Sequence, residues 1–222
     1  MKVLLINGSP RRASSSSRVI LDTLKNKLGN EPEYRMIEIA AQSEALPEDL
    51  EADLLVLAFP LYVDSLPSPV LSWLISCERL RSAASSAGGA LRPQAMVAAV
   101  NCGFYEGVQN ESALAIVANF CSRAGIQWRG GLGIGSGGMI KGVESAPEDM
   151  FIKRPVSRAI AELAELAFDP KREPKVIYAR HAFPRRLYIA VAHSGWRHDA
   201  KINGLKVRDL GARPYLTAEL AH

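Results

Sequence analysis

Residues 6–18, Ile-Asn-Gly-Ser-Pro-Arg-Arg-Ala-Ser-Ser-Ser-Ser-Arg, put two adjacent arginines and four consecutive serines directly behind a short apolar run. Small hydroxyls, positive charge and a Gly-Ser-Pro turn in this order point to anion binding. The turn leads into a helix opening near Ser15 or Ser16, whose first amides have no acceptor within the helix and carry partial positive charge. Hydroxyls of Ser9 and of residues 14–17 can donate further bonds to phosphate oxygens, and Arg11 and Arg12 can add charge or guard the entry. The plain alternative is a serine-rich cap with solvated arginines. One serine satisfies a cap, so four of them in a strand–turn–helix setting favour the anion.

The anion-binding loop is of no nucleoside-triphosphate type, because the second glycine and the lysine of G-x-x-x-x-G-K-[ST] are missing. A G-x-G-x-x-G pattern occurs at Gly133, Gly135 and Gly138, but no amphipathic helix opens there and Arg158 stands where an acid should hold a ribose. Cys77, Cys102 and Cys121 are widely spaced and form no C-x-x-C. They read as three reduced thiols, with no metal centre, cluster or disulfide framework. Cys102 has no histidine in residues 1–180 to act as its base, so a packed thiol is the better reading.

These residues need a scaffold that brings separate loops to one edge. Apolar segments at Lys2–Asn7, Tyr34–Ile39, Asp53–Phe59, Ala95–Val100 and Gln127–Ile134 read as strands. Four are nearly continuous apolar runs, as strands covered on both faces require, and Tyr34–Ile39 alternates, as suits an edge. Helical stripes lie between and after them: Ile20, Leu24 and Leu28; about Pro69 to Leu80; Leu114, Val117, Cys121 and Ala124; Val156, Ile160, Leu163 and Ala167. Gly29 and Gly125 stand at helix ends and Pro155 in a first turn. Ser82–Pro93 reads as a small-residue loop, and residues 169–182 as a linker. Alternating strand and helix predicts an α/β fold with a five-stranded parallel sheet, order 2-1-3-4-5, whose ligand sits beyond the carboxyl ends of the strands. The loops after strands one, three, four and five then share that edge, and they contain Pro60-Leu61-Tyr62-Val63, Asn101-Cys102-Gly103-Phe104 and Gly135-Ser136-Gly137-Gly138-Met139-Ile140-Lys141-Gly142.

With 222 residues, nearly half of them apolar, the chain can bury one sizeable core. No apolar run is long enough to span a bilayer, and the N-terminus lacks the long apolar stretch of a signal peptide, so a cytoplasmic protein is expected. The net charge of +4 is uneven: residues 1–170 carry 16 basic and 19 acidic side chains, residues 171–222 carry 11 and 4. The basic character belongs to the tail and gives no ground for a nucleic-acid partner.

The stretches Leu-Leu-Ile-Asn-Gly-Ser-Pro-Arg, Phe-Pro-Leu-Tyr-Val-Asp-Ser-Leu-Pro-Ser-Pro-Val and Asn-Cys-Gly-Phe with the helix behind it resemble the NAD(P)H-dependent FMN reductases among flavodoxin-like proteins. The tail resembles the ending of one branch of that group. The resemblance implies a flavodoxin-like three-layer sandwich over residues 1–170 with a basic C-terminal extension over 171–222. It implies that Ser9, Ser15, Ser16 and Ser17 hold the FMN phosphate with Arg11 at its mouth. Pro60, Leu61, Tyr62 and Val63 would line the isoalloxazine, and Asn101, Gly103 and Phe104 would close its other side. The implied activity passes hydride from NAD(P)H to FMN and electrons on to a small acceptor such as a quinone or free flavin. Flavin N5 carries that chemistry, so no side chain serves as catalytic acid or base and no metal is needed. Two other classes remain open, a flavodoxin-like electron carrier and a binding module that lost its cofactor. The tail, with Phe183–Leu205 read as an amphipathic helix bearing Leu187, Val191 and Trp196, either packs on its own domain, reaches across a homodimer, or rests on anionic lipid.

Overall fold

The computed structural model describes residues 1–39, 44–89 and 92–212. The expected strands form with bounds that differ from the sequence reading by no more than a residue at either end: β1 Lys2–Asn7, β2 Glu33–Glu38, β3 Leu54–Pro60, β4 Ala95–Asn101 and β5 Gln127–Ile134. A sixth, β6 Lys175–Ala179, pairs with β5, so the all-parallel sheet has the order β2-β1-β3-β4-β5-β6. This corrects the five-stranded expectation and the linker assigned to residues 169–182. The reason is visible in the strand: as an edge it stays half exposed, and Val-Ile-Tyr between Lys175 and Ala179 is too short an apolar run to stand out.

The helices are α1 Ser16–Leu28, α2 Ser68–Ser86, α3 Glu111–Ala124 and α4 Arg154–Phe168. Successive strand residues point to opposite faces, so β1 sends Val3 and Leu5 one way and Leu4 and Ile6 the other. Val3 and Leu5 pack with Ile20, Leu24, Ile160 and Leu163, which seats α1 and α4 on one face. Leu4 and Ile6 pack with Trp73, Leu74, Leu114 and Val117, which seats α2 and α3 on the opposite face. Helix α2 runs beyond its expected end into Ser82–Pro93. Ala83 and Ala84 sustain it, and Gly88, at φ +74°, stops it. Cys77, Cys102 and Cys121 are buried free thiols, and burial pushes Cys121 up to about 12.

The chain divides into two compact units, residues 1–182 and 183–222. In the second, α5 spans Arg185–Ile202 and a single 3-10 turn follows at Val207–Gly211. Leu187, Val191 and Trp196 on α5 are exposed. The end of the C-terminal extension, from Arg213 onward, lies outside the described residues. No described helix is long and apolar enough to cross a membrane.

Candidate functional site

The carboxyl ends of β1, β3, β4 and β5 deliver four loops to one edge. Ser15 is the N-cap of α1, its Oγ accepting from the Arg18 amide at 3.1 Å. The amides of Ser16 and Ser17 therefore open the helix without internal acceptors. Asn7, fully buried at the end of β1, shapes the turn before them: its Oδ1 accepts from Ser9 N at 3.1 Å and its Nδ2 donates to Arg12 O at 2.9 Å. Arg12 sits at φ +51°. Backbone strain of this kind is held in place where a loop must present its groups in one arrangement.

Across the gap, Asn101 donates from Nδ2 to Ser17 Oγ at 3.1 Å and to Phe59 O at 3.2 Å, tying the end of β4 to α1 and β3. Ser16 Oγ donates to Gly137 O at 3.4 Å, and Lys141 Nζ donates to Ser14 Oγ at 3.2 Å and to Ser14 O at 3.3 Å. The loop after β5 is thus stitched to the loop after β1. Gly137 permits it, since a Cβ there would stand 2.7 Å from Cys102 O.

The result is a cleft of ≈ 280 Å³ lined by Ser9, Arg11, residues 14–17, Pro60, Leu61, Tyr62, Asn101, Cys102, Gly103, Gly137, Gly138 and Lys141. Of the twelve residues expected at a site, ten line it. Val63 and Phe104 do not. Val63 is 98% exposed at the tip of a tight turn in which Tyr62 and Ser65 exchange two backbone hydrogen bonds of 3.0 Å. Val63 and Asp64 both have positive φ, +49° and +57°, as such a turn requires, although a β-branched residue is rarely found there. Phe104 is half exposed outside the cleft. Sequence reasoning missed Lys141, Gly137 and Gly138 as lining groups. Their loop was placed at the right edge, but nothing in its composition singled out the lysine.

Charge is distributed unevenly around the cleft. Arg18 is committed to Asp22 at 2.9 Å and Glu38 at 3.6 Å. Among the described residues neither Arg11 nor Lys141 has a carboxylate partner. The cleft therefore has surplus positive charge at its serine-rich end and an apolar wall of Leu61 and Tyr62 at the other. Burial raises the Cys102 thiol above its ordinary value, though hydrogen bonding to Phe104 O and Asn110 offsets part of the rise. It is a protonated thiol at neutral pH. The residues present fit a group with a phosphate at one end and a flat ring system at the other.

No protein-family model matches the chain, and no curated protein matches its sequence. Its fold does match solved structures. Flavodoxin 1 from Bacillus cereus is 16% identical, with a TM-score of 0.51 over 75% of this chain and 97% of that one. A Streptococcus flavodoxin is 14% identical, with a TM-score of 0.51 over 75% and 95%. An NADPH-quinone reductase from P. pentosaceus is 16% identical, with a TM-score of 0.50 over 76% and 99%. Strand order, layering and these likenesses agree that the chain has the flavodoxin-like fold, extended by a sixth parallel strand.

Proposed function

We propose that this chain is an FMN-dependent NAD(P)H oxidoreductase that passes electrons to a small acceptor. One observation carries the reading: a single cleft joins a helix N-terminus, serine hydroxyls and two uncommitted cations to an apolar wall on the neighbouring loop. FMN held there supplies the hydride-accepting and electron-releasing chemistry. The chain's own residues bind and orient. The Ser16 and Ser17 amides and the serine hydroxyls replace water around the phosphate, while Pro60, Leu61 and Tyr62 flank the ring on one side and Asn101 and Gly103 on the other. Among the described residues no carboxylate lines the cleft, which fits a site without a side-chain acid or base.

The purified protein is expected to bind FMN in preference to FAD, because the cleft offers one phosphate seat at one helix N-terminus. Replacing Ser15 and Ser16 together by alanine removes two hydroxyls. At about 1.5–3 kcal/mol for each charge-assisted bond, FMN affinity falls at least about a hundredfold in a fluorescence titration. Ser15→Ala also removes the cap of α1, worth about 1 kcal/mol of stability, so Ser16→Ala alone separates binding from folding. A double variant that binds FMN like the wild type would exclude the phosphate assignment. Steady-state NAD(P)H oxidation with a quinone distinguishes an oxidoreductase from an electron carrier.

Cys102→Ser is expected to retain FMN and most of its turnover, since the buried thiol is protonated and has no partner base among the described residues. Loss of turnover with flavin still bound would show thiol chemistry instead.

The exposed Leu187, Val191 and Trp196 of α5 support the further reading that two copies associate as a homodimer through the C-terminal unit.

A further inference from the structure

Lys141 lines the cleft from the loop after β5, outside the local turn, cap and helix start that form the phosphate seat. It lies 127 residues from Ser14 along the chain, yet its ammonium donates to Ser14 Oγ at 3.2 Å and Ser14 O at 3.3 Å. Two neutral oxygens leave the ammonium's charge uncompensated, and the side chain is exposed, so it can move without a packing cost. Arg11, on the first loop, supplies a second uncommitted cation to the same cleft. An anion at the opening of α1 therefore faces cations from two different loops as well as the helix amides. A phosphodiester carries one negative charge, whereas a terminal phosphomonoester carries nearly two at neutral pH, its second ionisation lying near pH 6. Two cations match the second kind.

We propose that Lys141 is a specificity-determining residue of this site: it leaves Ser14 to neutralise the second charge of a terminal phosphomonoester, and so selects FMN over riboflavin and over ligands whose phosphates are esterified on both sides. This rests on the flavin reading of the cleft and adds to it a residue from the loop after β5. The conserved element of the interaction is charge, not shape. Arginine at position 141 therefore preserves it and an uncharged side chain of similar length does not.

The test titrates FMN and riboflavin into the wild type, Lys141→Met and Lys141→Arg. Lys141→Met is expected to weaken FMN about tenfold or more, with riboflavin unchanged, and Lys141→Arg to stay within about threefold of wild type. Between pH 7.5 and 5.5 FMN affinity falls more steeply in the wild type than in Lys141→Met, because the second phosphate charge is lost. Equal FMN affinity in the wild type and Lys141→Met, or an equal loss for riboflavin, would overturn the proposal. Inorganic phosphate tests the seat without flavin: it is expected to raise the unfolding temperature of the wild type more than that of Lys141→Met. A wild type that binds no FMN but shows this phosphate difference would refute the flavin reading and leave the role of Lys141 standing. Equal response of both proteins to phosphate would refute the role itself.

Discussion

Gly135→Ala is expected to lower stability by about 3 kcal/mol or more, the high end of what an overpacked site costs. The backbone at this position threads between the loop after β4 and the end of β6. Gly135 N donates to Ala179 O at 2.8 Å, Ser136 N to Phe104 O at 2.6 Å and Gly137 N to Cys102 O at 2.8 Å. A Cβ would stand 2.6 Å from Gly107 N and 2.7 Å from Glu106 C, with the carbonyl oxygen of Tyr105 closer still. All three are backbone atoms, so no side chain can swing away to relieve the clash. Gly103→Ala is the control, since nothing lies within 4 Å of a Cβ there, and it should stay within about 0.5 kcal/mol of wild type. Urea unfolding that gave the two variants equal midpoints would contradict the close approach.

The second large effect is acid lability from His181. Its side chain is buried, with Nδ1 3.3 Å from Ser136 Oγ, and its backbone N donates to the same oxygen at 3.1 Å. Ser136 Oγ donates to Gly135 O at 2.7 Å, which leaves Nδ1 to carry the imidazole proton toward Ser136. Ile140, Val156, Ile160 and Lys153 line the same small cavity as the ring. Burial, reinforced by the Lys153 charge, lowers its pKa from 6.5 to about 4. The folded pKa lies below the unfolded one, so the neutral ring's contribution is fully present above pH 6.5 and is lost as pH falls from 6.5 toward 4. The unfolded chain takes up a proton in that window and the folded chain does not. The loss is on the order of 3 kcal/mol. His181→Gln removes the titrating group, so its stability should fall less between pH 7 and pH 4.5 than that of the wild type. Parallel stability curves for the two proteins would rule this out.

These two residues also show where sequence reasoning stops. The buried strands were legible because runs such as Leu54–Phe59 and Ala95–Val100 can be satisfied only between two covered faces. The serine-rich turn that lines the cleft was legible because it is local: a turn, a cap and a helix start within ten residues. Strand β6 is not so marked, since a half-exposed edge strand flanked by charges resembles a linker. Lys141 was hidden for a different reason. Its meeting with Ser14 depends on how two loops fold across a gap, and no spacing within either loop encodes that. The same holds for His181, which acquires its surroundings only when β6 has paired with β5 and brought it to Ser136. Val63 differs in the opposite sense, standing outside the cleft it was expected to line. The apolar stretch Leu61-Tyr62-Val63 reads as a continuous wall, but the turn between Tyr62 and Ser65 carries its third residue out into solvent.

The strand order has a consequence for how the chain is made. After β1 and β2 pair, every later strand joins on the same side: β3 beside β1, then β4, β5 and β6 in turn. On a ribosome the sheet therefore grows in one direction: β2 stays at one edge, and the growing edge is always the strand most recently released. That edge is dangerous while it belongs to β4 or β5, whose residues Val97, Val100, Leu132 and Ile134 are wholly buried in the finished protein. It becomes safe only with β6, where Lys175 pairs with Glu162 and the side chains tolerate water. A chain interrupted before Lys175, by a premature stop or by proteolysis, would keep an apolar edge open to other nascent chains and should precipitate during synthesis.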